Sequence, residues 1–256
     1  MTEEGRGMSD KELAGKVAAV TGSGRNIGKA IAVALAAGGA TVIVNARSNQ
    51  KEADAVVSEI EAAGGKAVAV LGDIADPATA KNIAAAAQKL GRLDFLINNA
   101  AIRKETPLEK LSFEEWRQVN GIILDGAFLC VQACAPLLRK SGAGSIVNIG
   151  GMSAHGGSKH RIHVLTAKSA LVGFSKALAH DLADDHVTVN YLSPGLIQTT
   201  REPGVPEPQH HGVQKTLTGA RGKPEDIAAV VRFLCGPGAR YITGQVIHAN
   251  GGAYLP

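Results

Sequence analysis

Residues 21–28 read Thr-Gly-Ser-Gly-Arg-Asn-Ile-Gly. They begin at the last residue of the stretch 16–21, which is largely apolar and typical of a buried β-strand. Glycines let the chain turn tightly at the end of such a strand and approach a ligand closely. If a helix starts here, its first N–H groups are free to bind phosphate, and its dipole favours negative charge. The stretch therefore predicts a dinucleotide site at a strand–helix junction, although a plain turn would also explain the glycines.

On both sides of this turn, β-branched runs alternate with longer Ala-rich segments. Such a rhythm is typical of an α/β fold with a parallel sheet. The predicted strands are apolar on both faces, as buried parallel strands are, and comprise residues 16–21, 41–46, 67–72, 95–98, 145–149, 187–191 and 246–249. Asp76-Pro77 and the capping-box spacing of residues 112–115 predict helix starts. Helix ends are predicted at the glycines of residues 38–39, 64–65 and 91.

Composition excludes several classes of protein. With 45% hydrophobic and 20% charged residues, the 256-residue chain is typical of a globular protein with a large core. The net charge of +4 is scattered along the chain, which argues against nucleic acid as a partner. Three cysteines without metal-ligand spacing suit a reducing compartment. His210 and His211 lack carboxylates at metal-ligand spacing, so we expect no metal.

Targeting and membrane segments are not expected. The N-terminal sequence has acidic residues where a signal peptide needs a basic start and an apolar run. The uncharged stretch 30–46 contains two adjacent glycines and Asn45, and it is shorter than the ~20 apolar residues that a membrane helix needs. We therefore expect a cytoplasmic protein that contacts no membrane.

The end of the second predicted strand bears on which dinucleotide binds. Sites that prefer NAD usually carry an acidic residue there, which binds the ribose hydroxyls. This chain has Asn45 followed by Arg47. Without a carboxylate to repel a 2′-phosphate, and with Arg25 and Arg47 able to bind its oxygens, the pattern favours NADP, with NAD as the alternative cofactor. The competing interpretation is that both arginines are merely surface residues.

From residue 15 to about residue 254, the chain resembles the short-chain dehydrogenase/reductase family. The glycine turn resembles the family's TGxxxGxG, with Asn26 at the middle glycine. Asp73-Ile74 matches the adenine-contacting pair after the third strand, and residues 98–101 match the NNAG signature with alanine in place of its glycine. Residues 193–197 resemble the segment that lines the nicotinamide, and residues 242–245 resemble the start of the usual last strand.

The resemblance implies a single Rossmann-type, doubly wound α/β domain with a seven-stranded parallel sheet flanked by helices. This domain would span residues 15–256 after a flexible N-terminal extension of residues 1–14. A homotetramer or homodimer packed through the long central helices is also implied. The implied cofactor-binding residues are Gly22, Arg25, Asn26, Ile27, Gly28, Arg47, Ser48, Asp73, Ile74, Asn99, Ala100, Lys168, Pro194, Gly195 and Ile197.

The catalytic positions depart from the family pattern. Family members transfer a hydride between NAD(P)(H) and a carbonyl/alcohol pair, using the tyrosine and lysine of YxxxK, a serine and an asparagine. The lysine lowers the pKa of the tyrosine, ordinarily ~10. Here Lys168 stands at the lysine position, but Val164, Gly151 and Ile123 stand where the tyrosine, serine and asparagine belong. The chain is therefore interpreted as an atypical member.

None of the three tyrosines is an obvious replacement. Tyr191 and Tyr241 are predicted as sheet or core residues, and Tyr254 lies in the C-terminal tail. We therefore expect a different proton donor, if the protein is catalytic at all.

Residues 151–164 place polar side chains where the family borders its substrate. Histidine, with an intrinsic pKa of ~6.5, can exchange protons near neutrality without help from a lysine. We hypothesise that Ser153 hydrogen-bonds the substrate oxygen and that His163 or His155 is the acid/base. On a continuous helix, His163 would lie about 140° around from Lys168, so it reaches the site only if the helix starts just after it. Alternatively, the histidines are exposed loop residues.

The leading functional prediction is an NADP-dependent oxidoreductase that acts on a small polar carbonyl or alcohol. Arg161 is a candidate for holding a substrate carboxylate or phosphate, or else a surface residue. Substrate specificity is expected in residues 199–218, and the proline-rich part at 201–211 predicts a loop, either over the site or merely exposed. The alternatives are a non-redox lyase, isomerase or dehalogenase on the same fold, and a catalytically inactive dinucleotide-binding protein.

Overall fold

A computed structural model describes residues 11–200 and 215–256 of the chain. The strands are β1 (Val17–Val20), β2 (Thr41–Ala46), β3 (Lys66–Leu71), β4 (Phe95–Asn98), β5 (Ser145–Ile149), β6 (Thr188–Pro194) and β7 (Val246–Ala249). The helices are α1 (Asn26–Ala37), α2 (Gln50–Ala62), α3 (Pro77–Lys89), α4 (Phe113–Asn120), α5 (Gly126–Arg139), α6 (Ser153–Gly156), α7 (Ile162–Asp181) and α8 (Pro224–Cys235). The loop predicted at 201–211, with its two histidines, lies outside the described residues.

The seven strands form one parallel sheet in the order β3-β2-β1-β4-β5-β6-β7. From β1 the chain moves outward to β3, and it then returns to place β4 on the other side of β1. Ligands of such sheets bind outside the carboxyl ends of the strands, where the strand order reverses. The predicted Rossmann-type α/β fold is confirmed, and its reversal point lies between β1 and β4.

Helices cover both faces of the sheet. On one face α1 packs against α2 and α8, and on the other α3 packs against α5 while α7 packs against α4. Each face has its own core, built mainly from Ala, Val, Ile and Leu. Ile31 and Leu35 are fully buried in the first core, and Ile83 and Leu138 in the second.

A π-helical turn, Gly121–Asp125, joins α4 to α5 in one continuous helical run. This run, Phe113–Arg139, is long and apolar enough to cross a membrane by length and composition alone. However, 44% of its apolar window is buried inside the structure, and its two cysteines and Leu138 belong to the core between the sheet and α3. The core helix of a globular protein has the same properties, and no membrane span is needed to explain the run.

The predicted helix caps are confirmed. The side chain of Asp76 accepts a hydrogen bond from the Ala78 N–H at 2.8 Å, and Ser112 accepts one from Glu115 at 3.2 Å. The largest difference between the predicted and the observed strands concerns β6, which was predicted to end at residue 191 but continues to Pro194. Residues 192–194 still pair with β7, and this carries the nicotinamide-type segment out to the carboxyl edge of the sheet.

The N-terminal residues that the structure describes are packed. Leu13 is 1% exposed, and its N–H donates to the Gly38 carbonyl at 2.8 Å. Glu12 forms a bidentate ion pair with Arg232 of α8, at 2.6 and 2.7 Å. Residues 11–14 of the predicted flexible extension are therefore anchored to the core, and residues 1–10 lie outside the described residues.

Asp94 joins several segments at the amino end of the sheet. Its fully buried carboxylate accepts hydrogen bonds from the Val17 N–H at 3.0 Å, from Arg92 at 2.7 Å and from the Ser141 hydroxyl at 2.5 Å, and Lys16 lies 3.3 Å away. Burial raises the pKa of Asp94, but these donors outweigh burial and hold the pKa below its ordinary value.

Asp94→Ala is expected to lower the free energy of unfolding at pH 7 by about 3 kcal/mol, because it removes the buried acceptor of several donors. Since the folded-state pKa is depressed, this contribution is present above the unfolded pKa and is lost as pH falls through the folded pKa. Urea denaturation of both variants measures it. Asp185→Ala is the control, because its ion pair with Arg139 is partly exposed and such pairs contribute about 0–1 kcal/mol. Equal losses in the two variants would contradict the role of Asp94.

Candidate active site

A cavity opens at the carboxyl edge of the sheet, beside the reversal point. Its walls come from the glycine turn, the segment after β4, the end of β5, the start of α7 and the end of β6. The lining residues are Ile27, Asn99, Ala101, Arg103, Glu105, Ile149, Gly150, Gly151, Met152, Ser153, Ala154, Arg161, Val164, Leu165, Lys168, Pro194, Gly195, Leu196 and Ile197. Seven residues predicted to bind cofactor or to act in catalysis are among them: Ile27, Asn99, Ser153, Lys168, Pro194, Gly195 and Ile197.

The glycine turn depends on glycine at two places. Gly22 has φ +61°, and a Cβ there would lie 2.9 Å from Ala100 Cα. At Gly28, a Cβ would lie 2.3 Å from the Gly22 carbonyl oxygen and 2.6 Å from Asn99 Nδ2, so only glycine fits. Asn26, at the family's middle glycine, has φ 53°, a left-handed conformation that asparagine tolerates better than most residues. This explains why the turn forms without that glycine.

Side chains that directly follow β1 and β4 hold the turn in place. Thr21 Oγ1 accepts hydrogen bonds from the N–H groups of Asn99 and Ala100, at 2.9 and 3.0 Å. The Asn99 amide donates to the carbonyls of Thr21 and Gly22, at 2.9 and 3.0 Å. Asn99 therefore fastens the end of β4 to the glycine turn at the reversal point, in addition to lining the cavity.

Asn45 fastens the turn from the other side. Its Oδ1 accepts from the Gly22 N–H at 3.2 Å, and its Nδ2 donates to the carbonyls of Val70 and Gly72 at 3.1 and 3.3 Å. With 2% exposure, the side chain bridges the turn, β2 and β3. The sequence has Asn45 here in place of a ribose-binding carboxylate, and the hydrogen bonds that its amide donates to the Val70 and Gly72 carbonyls are a structural reason for an amide at this position.

The start of α1 fits a phosphate group. Among the described residues, no side chain caps this helix, and its first turn contains no acidic residue. The first N–H groups of an uncapped helix have no partner within the helix and favour an anion. Gly28 lies in this first turn of α1, and because it has no Cβ, the helix can pack closely against the glycine turn at Gly22. The residues present therefore fit the pyrophosphate of a dinucleotide.

The adenosine end of such a dinucleotide would meet β2 and β3. Arg47 and Ser48 are exposed immediately after β2, and Asp73 follows β3, where its carboxylate accepts from the Ala75 N–H at 3.0 Å. Ile74, predicted to contact adenine, is 5% exposed and packs against Gly126 of α5. An acidic residue that the sequence interpretation missed, Glu52 of α2, lies close to Gly24, with Oε2 3.3 Å from the position of a Cβ there.

Lys168 is the most buried of the charged residues that line the cavity. It lies on α7 with 8% exposure, and its ammonium donates a hydrogen bond to the Ile149 carbonyl at 2.6 Å. Burial, together with the positive charges of Arg103 and Arg161, lowers the pKa of Lys168 from 10.5 to about 7, and burial is the largest of these causes. Lys168 can therefore exist both with and without its proton near neutral pH.

The other three positions compared with the family motif hold residues without acid or base groups. Val164 stands one turn before Lys168, is 1% exposed and lines the cavity. Gly151 also lines the cavity, and its N–H donates to the Tyr191 hydroxyl at 3.2 Å. Ile123, 3% exposed, belongs to the π-helical turn and to the core cluster that contains Val164.

Ser153 and Arg161 meet at the cavity wall, as the sequence interpretation expected of the segment 151–164. Ser153 begins α6, and its hydroxyl lies 3.5 Å from Arg161 Nη1, a weak hydrogen bond. Both residues line the cavity with Lys168. Arg103 and Glu105, which follow β4, line it as well and were missed. The signal that could have found them is their position just after residues 98–101, at the carboxyl end of a central strand.

His163 is not among the residues that line the cavity. Helix α7 begins at Ile162, so His163 lies inside the helix and faces α4, with Nε2 3.2 Å from Glu115 Oε1. It is fully buried, and burial lowers its pKa while Glu115 raises it in part. The condition under which His163 could reach the site, a helix that starts after it, is therefore not met, and the hypothesis is corrected on that point.

His155 is not brought to the cavity either. Its ring packs against His248 of β7, with centroids 4.8 Å apart, and against Tyr191 and Tyr254 at 5.6 and 5.9 Å. Burial lowers the pKa of His155. The geometry thus separates both histidines from Lys168, because the short helix α6 turns His155 towards β7 while Ser153 faces the cavity.

The structure also accounts for the tyrosines. Tyr191 is fully buried, as predicted, and burial raises its pKa to about 12. Tyr241, predicted in the sheet or core, is instead fully exposed, since it falls in the turn before β7. Tyr254 stacks beside His155. None of the three lines the cavity.

A dinucleotide-type turn at the reversal point of a doubly wound sheet, with a lysine of the seventh helix in the adjoining cavity, defines a dinucleotide-type site of the Rossmann class. The family described as Enoyl-(Acyl carrier protein) reductase, a branch of the short-chain dehydrogenases, matches residues 22–254. The chain belongs to the short-chain dehydrogenase/reductase family.

Individual relatives are similar over nearly their whole length. The 3-oxoacyl-[acyl-carrier-protein] reductase of Synechocystis sp. is 40% identical over 247 residues, which cover 95% of this chain and 98% of the relative. A dehydrogenase/reductase from Sinorhizobium meliloti is 36% identical, with a TM-score of 0.90 and coverage of 97% and 98%. A short chain dehydrogenase from Burkholderia cenocepacia, solved in complex with NADP, is 35% identical, with a TM-score of 0.88 and coverage of 94% and 99%.

Proposed function

We propose that this chain reduces a small polar carbonyl compound, or oxidises the corresponding alcohol, with NADP(H), and that Lys168 itself is the proton donor and acceptor. The observation that carries the proposal is the buried Lys168 ammonium in the cavity beside the glycine turn, with its pKa near 7. Family membership and the NADP complex of the Burkholderia relative support the cofactor assignment.

The cofactor would lie across the carboxyl edge of the sheet. Its pyrophosphate fits the start of α1, its 2′-phosphate the exposed residues after β2, and its nicotinamide the ends of β5 and β6. The residues proposed to bind it are Gly22, Arg25, Asn26, Ile27, Gly28, Arg47, Ser48, Asp73, Ile74, Asn99, Ala100, Lys168, Pro194, Gly195 and Ile197.

When bound, NADPH supplies a hydride to the carbonyl carbon. In the proposed reaction, the Lys168 ammonium donates a proton to the oxygen as negative charge develops there, and Lys168 becomes a neutral amine that solvent reprotonates. A group whose pKa lies near the working pH is suited to such a transfer. Neither histidine of the earlier hypothesis is needed, since Lys168 lines the cavity and both histidines face other elements.

Ser153 is proposed to orient the substrate. Its hydroxyl lies at the cavity wall and can donate to the carbonyl oxygen while it accepts from Arg161. The family's serine position is Gly151, two residues earlier, where no side chain is available. Hydrogen bonding by Ser153 would polarise the carbonyl and place its oxygen towards Lys168.

Arg47→Gln tests the cofactor preference. We expect the natural protein to bind NADPH at least ~10-fold more tightly than NADH, and Arg47→Gln to lose most of that ratio, because it removes a bidentate donor for the 2′-phosphate. Calorimetric titration with both cofactors measures the ratio. Lys89→Gln, at the exposed end of α3, removes the same charge far from β2 and is the control. A ratio unchanged by Arg47→Gln would remove Arg47 from the site.

Turnover decides between the proposed function and the alternatives. NADPH consumption is followed at the reduced-nicotinamide absorbance with aldehydes, ketones and oxo acids of two to six carbons. Steady consumption supports the oxidoreductase. Tight NADPH binding without any turnover would contradict the proposal and favour an inactive dinucleotide-binding protein, whereas no binding of any cofactor would favour non-redox chemistry on this fold.

We also propose that the protein is a cytoplasmic homotetramer or homodimer. Support comes from the exposed Phe113 and Phe128, which lie on the continuous run of α4 and α5 and leave apolar surface there. Light scattering of the purified protein gives the oligomeric state, and a monomer would contradict this part of the proposal.

A further inference from the structure

The charge of the residues that line the cavity indicates which charge the substrate carries. This inference rests on the proposed function. Among the residues that the structure describes, 11–200 and 215–256, the charged ones that line the cavity are Arg103, Glu105, Arg161 and Lys168, which are three cations and one carboxylate. None of these cations except Lys168 has a part in the proton transfer proposed above. A cavity that concentrates positive charge in this way is suited to an anionic ligand.

The two arginines come from segments that are held against each other. Arg103 lies in the segment that follows β4, and Arg161 precedes α7. The Thr106 N–H donates to the His160 carbonyl at 2.6 Å, which joins the two segments directly. His160 has φ 60°, a left-handed conformation that costs a non-glycine residue about 1–2 kcal/mol. The backbone just before Arg161 is therefore kept in a strained form by its surroundings.

Glu115 of α4 connects both segments to the body of the protein. Its carboxylate accepts from Lys104 Nζ at 3.0 Å and from Thr106 Oγ1 at 2.5 Å, and His163 Nε2 lies 3.2 Å away. Lys104 and Thr106 flank the cavity residue Glu105, while His163 lies in the first turn of α7, two residues after Arg161. The two segments that carry Arg103 and Arg161 are thus held to each other and to α4 by these contacts.

We propose that Arg103 and Arg161 together bind an anionic group of the carbonyl substrate, so that the enzyme acts on carbonyl compounds that carry a carboxylate or a phosphate in preference to neutral aldehydes and ketones. Guanidinium groups bind carboxylate and phosphate oxygens with paired hydrogen bonds, and this chemistry fits either anion. The contact between Arg161 and Ser153 would place the anion near the serine that orients the carbonyl. The substrate would therefore carry its charge a few atoms from the reacting carbon.

Matched pairs of substrates test the proposal with NADPH. Succinic semialdehyde is compared with butanal, and levulinate with 2-pentanone, for the carboxylate. Dihydroxyacetone phosphate is compared with dihydroxyacetone for the phosphate. We expect kcat/KM to be at least ~10-fold higher for an anion than for its neutral partner, and this ratio to fall at least ~10-fold in Arg161→Gln and in Arg103→Gln. The pair that shows the effect identifies the type of anion.

Arg117→Gln is the matched control, because it removes an exposed arginine of α4 that does not line the cavity. Loss of a cavity arginine can act in two ways, and the kinetics distinguish them. Removing its positive charge raises the pKa of Lys168, which shifts the pH profile of kcat for both members of a pair. Losing the anion-binding contact raises KM for the charged member alone. An equal kcat/KM within each pair, or equal losses for both members in the arginine variants, would overturn the proposal.

A direct binding measurement keeps this inference separate from the proposed function. Succinate is titrated into protein saturated with NADP, or into the cofactor-free protein if NADP does not bind. Succinate binding that is lost in the Arg103→Gln, Arg161→Gln double variant supports the anion site even if no carbonyl compound is turned over. Glycerol 1-phosphate is titrated in the same way for the phosphate. If the unaltered protein binds neither succinate nor glycerol 1-phosphate, the inference is overturned, whatever the result of the turnover assays.

Discussion

Methionine in place of Lys168 is expected to lower kcat for NADPH-dependent carbonyl reduction by about 10³-fold, within the range typical for loss of a general acid. Methionine fills much of the same volume but cannot donate a proton. NADPH affinity, measured by calorimetry on the same preparation, shows whether the cofactor still binds. Single-turnover kinetics then assign the loss to the chemical step. A Lys168→Met variant that keeps more than a tenth of the natural kcat would exclude Lys168 as the proton donor.

Arginine at the same position distinguishes a proton donor from a mere positive charge. The guanidinium stays protonated at any pH that proteins tolerate, so it can hold a charge in the cavity but cannot release a proton. We therefore expect Lys168→Arg to lose activity about as severely as Lys168→Met. Recovery of activity in Lys168→Arg would show that charge near the substrate, and no proton from this residue, is what the reaction needs.

The stability of Lys168→Met provides a control against misfolding. Because burial depresses the folded-state pKa of Lys168 to about 7, the unfolded chain binds the extra proton between about pH 7 and 10.5, and the natural protein loses stability as pH falls through that window. Methionine removes this cost. The variant should therefore unfold at a higher temperature than the natural protein at pH 7, so that its inactivity cannot be attributed to unfolding.

Alanine in place of Gly28 is expected to weaken NADPH binding by at least ~10-fold and to lower the free energy of unfolding by about 1–3 kcal/mol. The added Cβ would lie 2.3 Å from the Gly22 carbonyl oxygen and 2.6 Å from Asn99 Nδ2, so the turn or the start of α1 must move. Since both form the proposed pyrophosphate site, affinity and stability fall together. Calorimetry and urea denaturation measure the two effects.

Gly24→Ala is the matched control for Gly28→Ala within the same turn. The atoms nearest to a Cβ at Gly24 all belong to side chains: Glu52 Oε2 at 3.3 Å, Glu52 Cβ at 3.4 Å and Ala46 Cβ at 3.5 Å, and the carboxylate of the glutamate can move. We expect this variant to keep NADPH affinity within about threefold, less than the factor of 10 that corresponds to 1.4 kcal/mol. If Gly28→Ala bound NADPH as well as Gly24→Ala does, the close packing at Gly28 would have no role in cofactor binding.

The sheet could be predicted from the sequence because its strands are short, apolar on both faces and bounded by glycines or caps. The predicted strands at 41–46, 95–98, 145–149 and 246–249 coincide with β2, β4, β5 and β7. The end of β6 could not be read in this way, because Ser193-Pro194 looks like the start of a loop. Only pairing with β7, which lies far along the chain, keeps these residues in the sheet.

The glycine turn could also be located from the sequence, since its position directly after a strand fixes it at one edge of the sheet, and Lys168 could be located from the resemblance to the family's YxxxK motif. Asn26 was noted as a departure from the motif, yet its left-handed φ of 53° shows that it serves as the glycine does. The role of Asn45 was hidden, because its hydrogen bonds run to backbone groups of the turn and of β3 that are not adjacent in sequence.

The histidine hypothesis depended on where α7 starts, and sequence signals locate helix ends poorly. A start at Ile162 turns His163 towards Glu115, and the short helix α6 turns His155 towards β7. The depressed pKa of Lys168 could not be predicted either, because it arises from burial and from Arg103, 65 residues away in sequence. These are tertiary effects that no local pattern records.

The pH dependence of kcat for carbonyl reduction at saturating NADPH tests the central claim most directly. If the Lys168 ammonium donates the proton, kcat is constant below about pH 7 and falls about tenfold per pH unit above it, and alcohol oxidation shows the mirror-image profile with an amine base. The apparent pKa should disappear in Lys168→Met. A reduction rate that is constant from pH 6 to 9, or that falls only above pH 9, would contradict the assignment of Lys168 as the proton donor.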